Sequence, residues 1–155
     1  MNKNNKNNKN DKNDKIWLFN DENKYLIKTS RMISLTGLWG MMNNEFKLSP
    51  SLCAMSIISN IFWQEPRYNL IRFIDIGCVR FFSAYFAYNS FYDIKNPFIL
   101  GLLPCIYSVG GLYYIFGCYS HNKRNRMWYM NHTIFHTLSM IGHFININYY
   151  IINKT

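Results

Sequence analysis

Three of the four histidines of this 155-residue chain fall in one short stretch, MNHTIFHTLSMIGH (130–143), whose other residues are mostly apolar. A helix turning 100° per residue sets His132 and His136 one turn apart on a single face, with His143 about two turns further along. Two imidazoles at i and i+4 can clamp a metal, relay protons or act as polar glue between helices. A second group of ionisable residues, Arg72, Asp75 and Arg80, sits in the apolar and aromatic segment 69–92. Arg72 and Asp75 are three apart, close enough on one helix face to neutralise each other. His143 lies roughly 10 Å beyond His136 along the axis, so it cannot share a metal with His132 and reads as structural.

Long apolar elements must position these groups. Residues 98–118 (FILGLLPCIYSVGGLYYIFGC) carry no charge over 21 residues, and about 20 apolar residues suffice for a helix to cross a bilayer core. Residues 128–152, which hold the histidines, are also uncharged, and 69–92 and 48–63 are two further candidates. A fifth, 32–46, has an apolar run of only 32–43. The expected fold class is therefore all-α: a multi-pass transmembrane helical bundle of four to five spans (31–155) behind a disordered Asn/Lys-rich tail (1–30).

Charge decides between four and five. With four spans the tail and the basic loop HNKRNR (121–126) lie on opposite sides of the membrane. With five, the tail, Arg67 and that loop share one side, leaving only Lys47, Lys95 and Lys154 opposite. Basic residues concentrate on the cytoplasmic side, so the pattern favours five spans in an integral membrane protein with a cytoplasmic N-terminus.

The net charge of +9 does not point to nucleic acid. Eight of the 17 basic residues precede position 32 and most others flank apolar runs, the placement an anionic leaflet selects, and no RNA-binding signature accompanies them. The expected partner is the lipid bilayer, with no nucleic acid. Cys53, Cys78, Cys105 and Cys118 lie in apolar segments without C-x-x-C spacing, which reads as small core residues rather than a disulfide framework. The first strong apolar stretch begins after Arg31, so no signal peptide is expected.

Ser59, then Asp75 at the start of the following span, then His132-x-x-x-His136 in the last span form an order that resembles a known pattern. It is similar to the membrane hydrolase superfamily of alkaline ceramidases, adiponectin/progestin receptors and haemolysin-III-like proteins. The resemblance implies a helical bundle in which three histidines hold zinc, with the Ser and Asp beside a metal-bound water. His132 and His136 would then be ligands and Asp75 a general base or water-orienter next to Ser59. Zinc would lower the pKa of the water that attacks a lipid amide or ester. This chain departs from the pattern in having two spans fewer. It also has Trp63, not His, four residues after Ser59; the alternative register from Ser56 meets Asn60. His121 is the histidine left to supply a third ligand. The expected function is that of a multi-pass integral membrane protein without legible activity, a non-catalytic relative needing no cofactor. The alternative is a zinc-dependent membrane lipid amide/ester hydrolase, and the second alternative a small transporter or proton-relay subunit using Asp75 and the histidines.

Residues 1–15 contain a single apolar side chain, Met1, which leaves nothing to offset the entropy of ordering them. Deletion of residues 2–15 is expected to leave membrane insertion and helix content, read by circular dichroism, unchanged. Loss of insertion would assign the tail a role in setting orientation.

Overall fold

A computed structural model describes residues 22–66, 70–123 and 125–153 of the chain. They form five helices: α1 (Glu22–Met42), α2 (Ser49–Gln64), α3 (Leu70–Asp93), α4 (Pro97–Asn122) and α5 (Met127–Ile152). There is no strand among the described residues, so the all-α class holds. Four helices match the expected apolar segments to within a few residues. α4 alone among the described helices is long and apolar enough, by length and composition, to cross a membrane.

The first helix differs from expectation. It starts at Glu22, ten residues before the expected segment and inside the expected tail of 1–30; residues 1–21 lie outside the described residues. The extension has a packing reason. Leu26 is fully buried in a cluster with Phe62, Trp63 and Trp128, and Leu26, Ser30, Ile33 and Gly37 repeat at the spacing of one helix face. At 21 residues α1 is about 32 Å long, enough to cover a bilayer core of about 30 Å. The 16-residue α2 reaches only about 24 Å.

Local signals end and start the helices. Asn44 takes a positive φ of 60° and turns the chain after α1, a conformation Asn tolerates better than most residues. The Asn96 side chain accepts from the backbone N–H groups of Phe98 (3.0 Å) and Ile99 (3.3 Å), and Pro97 occupies the first turn of α4, where its missing N–H costs nothing. Glu45 caps α2 from the preceding turn. Its buried carboxylate accepts from the N–H groups of Lys47 (2.8 Å), Leu48 (2.9 Å) and Ser49 (2.9 Å) and from the Ser49 hydroxyl (2.5 Å).

Successive helices alternate in direction. α1 packs along α2 and α5, α3 along α2, and α4 along α5. Gly40 permits the α1–α2 contact, because a Cβ there would stand 1.8 Å from Ser49 Oγ. Gly142 similarly makes room for the Tyr107 ring, 2.7 Å from where its Cβ would be. α3 meets α5 only toward its end, where Asn146 donates to Ser90 Oγ (2.7 Å) and Tyr150 donates to the Asn89 carbonyl (3.2 Å). There Lys47 also pairs with Asp93, which accepts from the Tyr150 hydroxyl (2.6 Å). The Lys47 ammonium, followed by the Tyr150 hydrogen bond, holds the Asp93 carboxyl below the usual carboxylate range. α4 follows α5 and diverges from α3, leaving a wedge-shaped space at the other end.

The cysteines depart from expectation: Cys53 and Cys78 are half-buried, Cys105 and Cys118 exposed, and all four are free thiols. Their small size serves helix surfaces here rather than the core.

Glu45 is 2% exposed and satisfies three otherwise orphaned N–H groups. Glu45→Ala should destabilise the bundle by about 1–3 kcal/mol, since it strands buried donors. Glu45→Gln, retaining one acceptor oxygen, should recover part of that loss. Thermal unfolding in detergent checks both, and an unchanged midpoint in Glu45→Ala would refute the capping role.

Candidate functional site

The wedge encloses a cavity of about 650 Å³ between the start of α3, the second half of α4 and the start of α5, with the end of α2 closing one side. Ser59, Asp75, His121, His132 and His136 all line it. Helix direction explains the convergence: α2 and α4 end where α3 and α5 begin, so groups late in the first pair and early in the second share a level.

Each side chain has a specific setting. The Ser59 hydroxyl donates to Asp75 Oδ1, a contact between two side chains that are each 8% exposed. His136 is buried, with Nδ1 3.0 Å from Thr29 Oγ1 of α1; which atom donates depends on the imidazole tautomer. His132 stands in an aromatic enclosure, its ring centroid 5.5 Å from Trp63, 5.9 Å from Tyr114, 5.8 Å from Phe135 and 4.7 Å from His136. His121 lies edge-on to Trp128 at 5.2 Å. His143 does not line the cavity. Its Nδ1 is 3.1 Å from the Tyr107 hydroxyl and its ring packs 4.4 Å from Phe86, so it joins α5 to α4 and α3.

The residues present do not fit a three-ligand zinc site. The position that would carry the third histidine holds Trp63, whose ring packs against His132, and an indole nitrogen offers a donor but no lone pair to a metal. The alternative register points elsewhere: Ser56 donates to the Ser30 carbonyl (2.5 Å), and Asn60 donates to the Ser56 carbonyl (2.8 Å). Among the described residues no three His, Cys, Asp or Glu side chains come together as a metal-ligand set.

The cavity also holds groups outside the Ser–Asp–His pattern. Arg72 and Arg80 line it together with Ile76, a stripe at i, i+4 and i+8 of α3. Across from them stand Tyr114 and Cys118 of α4, which with His121 form an i, i+4, i+7 series; that periodicity is legible but was masked by the uniform apolarity of the segment. Apolar walls of Phe62, Val79 and Phe135 separate these polar groups. The arrangement is suited to binding: one carboxylate already engaged by a hydroxyl, two guanidiniums and a pit of apolar surface.

Comparison with family models, with curated proteins and with solved structures gave no significant match, so the reading of the cavity rests on its own chemistry.

His132→Gln and His136→Gln are each expected to weaken the fold only mildly: His132 makes ring contacts, and a hydrogen bond such as that of His136 contributes about 1 kcal/mol net. Elemental analysis of the purified protein should find no stoichiometric zinc. One zinc per chain, lost in both variants, would overturn this reading and make His121 the first candidate for the missing ligand.

Proposed function

We propose that the chain is a five-span integral membrane protein with its N-terminus cytoplasmic, acting through binding in the cavity rather than through hydrolysis. One observation carries the membrane reading: the polarity of the bundle is inverted relative to a water-soluble one. Among the described residues, thirteen polar or charged side chains are buried against twelve apolar ones. Large apolar residues stand outside on every helix, among them Leu35, Ile61, Phe73, Phe116 and Phe144. α4 is the extreme case, with only Leu103, Gly110 and Gly117 buried of its 26 residues. A core helix of a soluble domain would bury such a face, and exposed apolar area on this scale needs a partner, which lipid supplies.

Charge placement supports the orientation. The end that carries the cavity also carries the start of α1 with Lys24 and Lys28 and the loop after α4 with Lys123 and Arg126. At the other end Lys47 is neutralised by Asp93. The non-catalytic reading rests on Trp63 standing at the third-ligand position. A relay through the bundle is disfavoured as well, because the lining residues reach no deeper than Ser83, Gly111 and His136. Beyond them Phe86, His143 and Ile147 are buried and packed, so the cavity ends blind.

Single cysteines introduced at Lys15, Asn122 and Thr155 in a cysteine-free background test the topology. An impermeant thiol reagent should reach Lys15→Cys and Asn122→Cys from the same side and Thr155→Cys from the other. Labelling of the first two from opposite sides would reject five spans.

A further inference from the structure

Arg80 is the group in the cavity that the bundle does not account for. It is the eleventh of the 24 residues of α3, roughly 15 Å along the helix and so near mid-span. A guanidinium at that depth is costly and is retained where it meets an anion or water. Among the described residues Arg80, exposed along the cavity wall, has no hydrogen bond or ion pair, and Tyr114 lines the same cavity. Asp75, the nearest carboxylate in sequence, is engaged by Ser59. Arg72 lies two turns nearer the mouth on the same stripe, about 12 Å along the axis, with Ile76 between them. The planar fork of an arginine matches the oxygens of a phosphate.

The rest of the cavity fits the other half of an amphiphile. Its walls are largely apolar, and its volume of about 650 Å³ lies within the usual range for small-molecule sites, roughly 300–1,000 Å³. α3 and α4 do not pack along each other, and the adjoining residues Phe81 and Leu112 are exposed, which leaves a lateral opening toward lipid.

We propose that this cavity binds one anionic phospholipid, its phosphate held by Arg80 and its chain lying between α3 and α4. The proposal rests on the membrane reading above. Native mass spectrometry of the full chain in neutral detergent, titrated with phosphatidylglycerol or phosphatidylcholine, reads the bound stoichiometry. One phosphatidylglycerol should bind per chain at least tenfold more tightly than phosphatidylcholine, and Arg80→Gln should weaken it tenfold or more. Gly111→Leu gives an independent variant: Gly111 lines the cavity with nothing within 4 Å of where its Cβ would stand, so the leucine adds bulk without a clash and should reduce lipid occupancy at unchanged helix content. Equal binding of the two lipids, or wild-type binding by Arg80→Gln and Gly111→Leu, overturns the proposal. Inorganic phosphate in large excess should not displace the lipid; displacement would make the ligand a soluble oxyanion and reject the lipid assignment. Failure of the membrane reading would appear separately, as wild-type chain that remains in solution without detergent.

Discussion

The polar seam of α5 is the constraint on which the arrangement depends. His136 meets Thr29 of α1, His143 meets Tyr107 of α4, and Asn146 donates to Ser90 of α3. One helix thus reaches three others through three buried side chains at i, i+7 and i+10. A buried polar group that loses its partner keeps the full cost of its desolvation, so each of these bonds restricts rotation and axial position more strongly than its modest net stability suggests. Apolar contacts between helices are non-directional and would tolerate several registers. The seam removes that freedom, and it answers why so apolar a segment carries imidazoles.

The seam also explains the cavity. α3 is tied to α5 near its end and to α2 near its start by Ser59 and Asp75. α4 instead follows α5, with Gly142 admitting the Tyr107 ring against the α5 backbone. Helices joined by the short connection 94–96 therefore separate as they run toward the opposite end. On the α4 side Gly111 leaves the gap open, with nothing within 4 Å of where its Cβ would stand. The aromatic enclosure of His132, built from Trp63, Trp128, Tyr114 and Phe135, lines the side formed by the end of α2 and the start of α5.

Trp63 is where structure and chemistry part company with the hydrolase pattern. A histidine at that position would face His132; an indole occupies the same space and supplies packing instead of a lone pair. Asp75, Ser59 and three histidines line the cavity, but among the described residues they do not come together as a metal-ligand set.

The amino-acid sequence by itself determined the helical class and four of the five helices, because long, largely apolar runs bounded by Pro97, Asn96 or charged loops exceed strand length and have the length of helices. It also singled out Ser59, Asp75, His121, His132 and His136, since ionisable or hydroxyl groups in apolar surroundings are few and alternating helix direction sets their level. The start of α1 was not legible: Lys24, Lys28 and Arg31 make 22–31 look like tail, and only the cluster of Leu26 with Phe62, Trp63 and Trp128 repays the ordering of that segment. Tertiary structure alone decided which polar groups pair across helices. Periodicity places a side chain on a face, but partners such as Thr29 and His136, 107 positions apart, depend on which faces meet, and that is settled by the packing of small residues such as Gly40 and Gly142 rather than by any local signal.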